Sequence, residues 1–245
     1  MLRGLDRPRQ RREAGLFLVE GSKMTAEAVS LGLCRVLLVQ RERAESYRGM
    51  IEAARHAGAE CILVSAAVME GLSTAKTPQG VLCAAAVPVP PEQLEGALLL
   101  ALDGVQDPGN LGTMLHTADA AGFSGVLLGE GCADPYGAKA LRATMGSIFR
   151  LPILQMALAP ALALLRGRGY AILSTELGGE DFYAACPDGG SVLVIGSEGR
   201  GVSPEVRREA THRLALPMRG GAESLNAAVA AGIMMYELSR RTKGV

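Results

Sequence analysis

Two glycine-rich loops in the last third of the sequence carry the polar side chains best suited to building a site. The first loop, residues 196–201, follows the apolar run 192–195 and holds one acid, Glu198. The second loop, residues 219–224, follows the apolar run 214–218. Because ligands of α/β proteins lie beyond the carboxyl ends of the strands, two such loops predict a binding site at one edge of a sheet.

The composition of these loops excludes several classes of ligand. A dinucleotide-binding fold needs GxGxxG directly after its first strand, whereas residues 196–201 read GSEGRG and place a carboxylate where a pyrophosphate would lie. The sequence contains neither a Walker A lysine loop nor a GxSxG elbow. Its three histidines and five scattered cysteines lack the spacing of metal ligands, so we expect no metal. A neutral or cationic ligand is favoured.

The segments that must position these loops alternate between strand and helix patterns. The apolar run 97–102 predicts a strand buried on both faces, followed by a polar loop that ends at Asn110. Apolar residues with i, i+3, i+4, i+7 spacing from Leu111 predict a helix over residues 111–121, with Asn110 where an N-cap would be. A long helix rich in small residues is predicted to begin at Leu225.

The first part of the chain also alternates strands and helices, which predicts a small α/β/α layer domain. Ser22 is placed to cap a helix, and a charged amphipathic helix is predicted over residues 42–57. Residues 88–91 read PVPP, and since proline cannot donate to a strand ladder, they mark a domain boundary. We expect an N-terminal domain, a linker and a C-terminal domain at residues 1–87, 88–96 and 97–245.

The bulk composition favours a cytoplasmic protein. No apolar run is long enough to span a bilayer, the N-terminus lacks the apolar core of a signal peptide, and the cysteines form no disulfide framework. The net charge is zero, but five arginines lie among the first twelve residues. They form either a solvated terminus or an arm that binds phosphates.

Three sets of residues resemble the three motifs of the SpoU/TrmH-type branch of the SPOUT methyltransferases. These motifs are DPGNLGT and TADAAG (107–113 and 117–122), IGSEGRG (195–201), and LPM and SLN (216–218 and 224–226). They occur in the family's order within residues 95–245, and together they are specific. The runs FLVEG (17–21) and TPQGV (77–81) resemble the L30e-like substrate domain that often precedes the catalytic domain.

The resemblance implies a C-terminal α/β knotted domain with a deep trefoil knot, and a smaller N-terminal α/β/α domain. It implies S-adenosyl-L-methionine as methyl donor, the ribose 2′-hydroxyl of an RNA as acceptor, and a homodimer formed through the C-terminal domain. Ribosomal RNA is favoured because an added substrate domain suits a structured RNA. A tRNA acceptor and a catalytically silent RNA-binding dimer remain alternatives. The small residues of the last helix fit either a dimer contact or burial within one subunit.

The resemblance also implies roles for individual residues. The expected catalytic residues are Asn110, His116, Glu198, Ser224 and Asn226. The expected cofactor-binding residues are Leu173, Thr175, Ile195, Gly196, Leu216, Met218, Ser224, Leu225 and Asn226. On charge, the candidates for RNA binding are Arg9, Arg11, Arg12 and Arg142. Helix capping by Asn110 and Ser224, and a solvated loop acid at Glu198, are the structural alternatives.

His116 stands where the family usually carries an arginine. Histidine can act as a base near neutral pH, since its unperturbed pKa is ~6.5, whereas arginine is the better phosphate ligand. His116 could therefore take the proton itself, another residue could have replaced it, or activity could be weak or lost. The joint presence of Asn110, Glu198, Ser224 and Asn226 favours a working enzyme.

Overall fold

The computed structural model describes residues 2–75, 77–187 and 189–242, without the side chain of Arg3. The described strands are β1 (Leu16–Glu20), β2 (Cys34–Gln40), β3 (Glu60–Val64), β4 (Val81–Ala86), β5 (Leu98–Asp103), β6 (Gly125–Leu128), β7 (Ile153–Gln155), β8 (Ala171–Asp181), β9 (Ser191–Gly196) and β10 (His212–Ala215). The described α-helices are α1 (Pro8–Ala14), α2 (Ser22–Ser30), α3 (Arg48–His56), α4 (Ala66–Leu72), α5 (Pro108–Ala121), α6 (Ala138–Thr144), α7 (Leu158–Gly167), α8 (Phe182–Ala185), α9 (Pro204–Arg207) and α10 (Ala227–Thr242). None of these helices has the length and apolar character needed to cross a membrane.

The chain forms two compact α/β units. One unit comprises Met1–Val89 and Tyr136–Phe149, and the other comprises Pro90–Pro135 and Arg150–Val245. The predicted architecture of two α/β domains is confirmed, because each unit is built on its own sheet. The first unit takes in α6 and a short 3₁₀ helix, Ser147–Phe149, from the middle of the sequence.

The first unit is built on a four-stranded sheet with the order β1-β4-β2-β3. Strand β4 runs antiparallel to β1 and β2, whereas β2 and β3 are parallel. Phe17 on β1 is fully buried, and its ring lies 4.9 Å from that of Tyr136 and 6.1 Å from that of Phe149. These aromatic contacts join α6 and its flanking residues to the sheet of this unit.

Two local predictions for the first unit were wrong. Ser22 is the first residue of α2 and not its cap, because its amide and its hydroxyl both donate to Gln79 Oε1, at 2.7 Å and 2.9 Å. The single helix expected over residues 42–57 is replaced by a 3₁₀ turn, Arg41–Arg43, and the shorter α3.

The second unit is built on a six-stranded parallel sheet with the order β10-β8-β9-β5-β6-β7. Strand β5 lies in its interior between β9 and β6, and the side chains of Leu98 to Leu102 are all buried, which explains the uninterrupted apolar run. The register pairs Asp103 with Gly196, so β5 and β9 end side by side. Helices α5 and α10 pack against each other next to these strand ends. The loops singled out in the sequence therefore meet at one sheet edge.

The beginning of α5 differs from its prediction. Asp107 is the N-cap, and its Oδ1 accepts from the amide of Asn110 at 2.9 Å, so the helix begins at Pro108. The placement of Asn110 at the N-cap was therefore wrong. Its side chain is not needed for capping this helix, and it is available for other contacts.

Candidate active site

The loop that follows β9 turns back on itself around Glu198. Ser197 and Gly201 exchange two backbone hydrogen bonds, of 3.0 Å and 2.8 Å, and Gly201 adopts a left-handed φ of 69°. A Cβ atom at Gly196 would overlap the backbone of Gly201 and Val202, so only glycine permits this close return of the chain. The turn holds Glu198 at the carboxyl end of β9.

Asn110 links this turn to the beginning of α10. Its Nδ2 donates to Glu198 Oε1 at 3.0 Å, and its Oδ1 accepts from Asn226 Nδ2 at 3.1 Å. The Oδ1 of Asn226 accepts from the amides of Ala228 and Val229, at 2.9 Å and 3.3 Å, so Asn226 caps α10. Glu198, Asn110 and Asn226 thus form one chain of hydrogen bonds, which we call the polar bridge.

The environment of Glu198 keeps its carboxylate charged. Burial raises the pKa of Glu198, but hydrogen bonds from Asn110 and from the backbone amides of Glu198, Gln106 and Asp107 outweigh burial and leave the pKa below its ordinary value. A lowered pKa means that the stabilisation by the ionised group is present at neutral pH and is lost only as the pH falls through the acid range. Glu198 therefore provides a fixed negative charge and is a poor proton acceptor at neutral pH.

A cleft of about 810 Å³ opens beside Glu198 in the second unit. Its volume lies within the range of roughly 300–1,000 Å³ that is typical of small-molecule sites. Apolar side chains of Ile195, Leu216, Met218 and Leu225 line it, and those of Met218 and Leu225 are exposed. Walls of this kind suit a flat heterocycle such as adenine.

The charges in the cleft favour a cationic group near Glu198. Within the described residues Glu198 makes hydrogen bonds but no ion pair. Glu176, which also lines the cleft, is already paired with Arg207, with 3.1 Å between Oε1 and Nε. Glu198 and the exposed Glu223 are thus the acids of the cleft that have no ion pair among the described residues. The carboxylate of Glu198 and the apolar walls together fit S-adenosyl-L-methionine, which carries both an adenine and a sulfonium.

The structure brings most of the predicted cofactor-binding residues to this cleft. Those that line it are Thr175, Ile195, Gly196, Leu216, Met218, Ser224, Leu225 and Asn226. The hydroxyl of Thr175 donates to the carbonyl of Val194 at 3.0 Å, which ties the adjacent strands together beside the cleft. Leu173 lies two residues earlier on β8, and its side chain is fully buried in the sheet.

The predicted catalytic residues fall into two groups. Asn110, Glu198 and Asn226 form the polar bridge, and Ser224 lines the cleft. His116, half-buried on α5, is not among the described residues that line the cleft. It follows Asn110 by six residues, so helix geometry places it about 9 Å further along the axis and about 120° around it.

The four arginines predicted to bind RNA belong to the first unit and differ in exposure. Arg9 is exposed and pairs with Glu13, and Arg12 is also exposed. Arg11 is only 5% exposed, and its Nη1 donates to the carbonyl of Leu5 at 2.7 Å. Arg142 is exposed and its Nη1 donates to Thr74 Oγ1 at 2.7 Å.

Two supporting residues of the site were missed in the sequence. The carboxylate of Asp103 accepts from the amide of Ser203 at 2.7 Å and so fixes the far end of the Glu198 loop. The amide of Gln106 lies 3.4 Å from Glu198 Oε2. Asp103 ends the buried run 98–102, and an acid at the carboxyl end of a central strand is the signal that could have identified it.

Models of two protein families match the chain. The SpoU rRNA methylase family matches residues 97–236, and the MRM3-like substrate binding domain matches residues 1–83. Among curated proteins, the chain is 36% identical over 233 residues to the 23S rRNA (guanosine(2553)-2′-O)-methyltransferase RlmP of Bacillus subtilis (strain 168). That match covers 94% of this chain and 91% of the relative.

Solved structures show the same fold over nearly the whole chain. An AdoMet-bound rRNA methyltransferase from Sinorhizobium meliloti is 33% identical, has a TM-score of 0.85, and matches 98% of this chain and 92% of its own. The SpoU methyltransferase AviRb from Streptomyces viridochromogenes, in complex with the cofactor AdoMet, is 27% identical with a TM-score of 0.83, covering 98% of this chain and 95% of its own.

Gly196→Ala should weaken binding of S-adenosyl-L-methionine by about tenfold or more, because the added methyl group forces the Glu198 turn away from the end of β9. Gly220→Ala is the matched control, since nothing lies within 4 Å of a Cβ atom at that position. Isothermal titration calorimetry measures both affinities. Equal affinity in the two variants would contradict the proposed role of this turn.

Proposed function

We propose that this chain, which belongs to the SpoU rRNA methylase family and is an RNA ribose 2′-O-methyltransferase, acts on large-subunit ribosomal RNA. The observation that supports this acceptor is the near full-length similarity to RlmP of Bacillus subtilis, a 23S rRNA enzyme. The similarity extends through the N-terminal stretch that matches a substrate-binding domain. A guanosine ribose in a structured segment of 23S rRNA is the acceptor that this similarity favours.

Several predictions made from the sequence are confirmed. The chain has the SPOUT methylase fold preceded by an α/β substrate-binding domain, and its cofactor is S-adenosyl-L-methionine. The cofactor supplies a methyl group that is already activated by the positive sulfur. The deep trefoil knot stays a prediction.

We assign the cleft of the second unit to this cofactor. The exposed side chains of Met218 and Leu225 would contact the adenine, together with the backbone at Gly196. The ionised Glu198 would lie near the sulfonium, where a fixed negative charge stabilises the cation. With an activated methyl group, the protein's main task is to position the acceptor oxygen in line with it.

We assign this positioning task to the polar bridge. Asn110 has its amide nitrogen committed to Glu198 and its amide oxygen committed to Asn226, so its orientation is determined by two different loops. The hydroxyl of Ser224, at the cleft wall, would assist in orienting the ribose. Loss of one such positioned group costs on the order of 100-fold in rate.

The acceptor hydroxyl must also lose a proton, and Glu198 is a poor base at neutral pH. We propose that His116 takes this proton, since an imidazole nitrogen is a common general base and the resemblance places His116 in the catalytic motif. Because His116 does not line the cleft, its loss should leave cofactor binding intact.

His116→Ala should lower the methyl-transfer rate at pH 7 by roughly 100-fold, the contribution expected of general base catalysis. Its affinity for S-adenosyl-L-methionine should stay unchanged, because His116 does not line the cleft. Single-turnover rates of methyl transfer, with calorimetry of the cofactor, measure these two effects. An unchanged rate would remove His116 from the mechanism.

The acceptor is tested with 23S rRNA, 16S rRNA and tRNA from cells that lack the protein. Transfer of labelled methyl groups from S-adenosyl-L-methionine should be confined to 23S rRNA and should map to one ribose 2′-oxygen. Incorporation into tRNA would overturn the ribosomal acceptor. If folded protein that binds the cofactor modifies none of the three, the silent RNA-binding dimer, suggested by the replacement of arginine at His116, is favoured.

We further propose that the protein is a cytoplasmic homodimer formed through α10. The inner face of this helix is buried by Ala231, Met234, Met235 and Leu238. The opposite face carries Val229, Ile233 and Tyr236, which are 51%, 37% and 56% exposed. Apolar residues at i, i+4 and i+7 on an outward face form a stripe suited to a second helix. A second copy of the chain is the partner that the resemblance implies.

Ile233→Asp should convert the dimer to a monomer at micromolar concentration, because a charge would be buried at the centre of the contact. Leu164→Asp is the matched control, since Leu164 is an exposed apolar residue on α7, away from this stripe. Sedimentation velocity should give twice the chain mass for the wild type and for the control. A monomeric wild type, or a dimeric Ile233→Asp, would contradict this interface.

A further inference from the structure

A second cavity, of about 480 Å³, lies entirely within the first unit. Side chains from β1, α2, α4 and β4 form its apolar floor, and these residues are Leu18, Met24, Leu72 and Leu82. Tyr136 also lines the cavity. None of these residues lines the cofactor cleft, so the cavity is a separate site.

A network of hydrogen bonds forms the polar rim of this cavity. The carboxylate of Glu20 accepts from the hydroxyl of Ser73, and from the amide and hydroxyl of Thr74 at 3.1 Å and 3.0 Å. Thr74 Oγ1 in turn accepts from Arg142 Nη1. The network therefore fixes one carboxylate and one guanidinium at the same rim.

The guanidinium of Arg142 retains binding capacity. It is exposed, and within the described residues it makes the single hydrogen bond to Thr74 and no ion pair. A guanidinium has five N–H donors arranged as a planar fork that matches the oxygens of a phosphate. Arg142 is thus suited to bind an anion at the mouth of the cavity.

The other charges of the cavity balance one another. Arg11, only 5% exposed, and Asp6 line it together with Arg142 and Glu20. Because the two arginines and the two acids compensate each other, the lining has no net charge that would favour a small anion or a small cation on its own. The lining instead fits a flat, largely apolar ring with a polar edge, attached to a negatively charged group that stays outside.

An unpaired nucleotide has this chemistry, and the protein's acceptor is an RNA. Sequence-specific recognition of RNA commonly uses unstacked bases that enter a pocket and stack on aromatic or guanidinium groups. Three features that stand out in the sequence meet at this one cavity, namely Arg11, the FLVEG segment and Arg142. Their convergence is unexplained by the cofactor cleft.

We propose that this cavity binds one unpaired nucleotide of the RNA substrate, at a position other than the methylated ribose. Its base lies over Leu18 and Met24 beside Tyr136, with a polar edge at Glu20, and its phosphate meets Arg142. The proposal rests on the proposed ribosomal acceptor only for the choice of RNA in the test.

The experiment combines abasic RNA with a variant that fills the cavity. A 23S rRNA fragment around the mapped methylation site is prepared as a series, each member lacking one base, and its affinity is measured by fluorescence anisotropy. With the wild type, removal of one base away from the methylated nucleotide should weaken binding by about tenfold, the order found for loss of one stacked base.

The tryptophan of Met24→Trp should fill the cavity, so this variant should bind the intact fragment about tenfold more weakly than the wild type does. Removal of the base to which the wild type is sensitive should then cause no further loss of affinity. Ala26→Trp is the matched control, because Ala26 is exposed on the same helix and does not line the cavity, so it should behave as the wild type does. Arg142→Gln should weaken binding of all the fragments by a similar factor and reduce the salt dependence.

If Met24→Trp and the wild type respond equally to every abasic position, the cavity does not bind a base and the proposal is overturned. Should Met24→Trp fail to fold, as judged by its melting curve and cofactor affinity, Glu20→Gln takes its place, and it must change which base is preferred at the sensitive position. Methyl transfer to 23S rRNA is measured in parallel. If 23S rRNA is methylated but Met24→Trp and the wild type respond equally to every abasic position, only the inference about the cavity is overturned. If 23S rRNA is not methylated, the proposed acceptor is overturned. The binding series is then run on the RNA that is methylated.

Discussion

The site depends on one chain of hydrogen bonds, from Glu198 through Asn110 to Asn226. Glu198 lies 88 positions and Asn226 lies 116 positions after Asn110 in the sequence. Each of the three belongs to a different loop or helix end. An amide whose donor and acceptor are both committed cannot rotate without breaking one of these bonds. The bridge therefore holds the Glu198 turn, the first turn of α5 and the start of α10 in a single arrangement.

Capping arrangements on both helices make this bridge possible. Asp107 caps α5, which leaves the side chain of Asn110 to reach the neighbouring loops. Asn226 caps α10 with its oxygen and contacts Asn110 with its nitrogen, so one amide serves both tasks. The result is an ionised Glu198 beside an apolar cleft, an arrangement that suits a ligand with both a positive charge and a flat ring.

The buried strands of the second unit and the loops at their ends could be predicted from the sequence, because local patterns of residues indicate them. Uninterrupted apolar runs predicted the buried parallel strands, and glycine-rich loops at their ends predicted the location of the site. The role of Asn110 was not resolved, because asparagine and aspartate both cap helices and Asp107 lies only three residues earlier. The extension of β8 to Asp181 has no clear signal in the sequence, since its second half is half-buried or exposed and contains two glycines.

Features that depend on distant contacts were beyond prediction. The grouping of α6 with the first unit depends on the contacts of Phe17 with Tyr136 and Phe149. The polar rim of the cavity there depends on the hydrogen bonds of Thr74 with Glu20 and Arg142, across 54 and 68 positions, which no local pattern encodes. The placement of His116 away from the cleft likewise follows from the packing of α5 and not from its motif.

The most direct test of the polar bridge is a double-mutant cycle on Glu198 and Asn226, which contact Asn110 from opposite sides. kcat/KM for methyl transfer to 23S rRNA is measured for Glu198→Gln, Asn226→Ala and the double variant. If the bridge acts as a unit, the double variant should be about as slow as the slower single variant, as is usual for groups that work together. Losses that multiply, as they do for independent sites, would contradict the account.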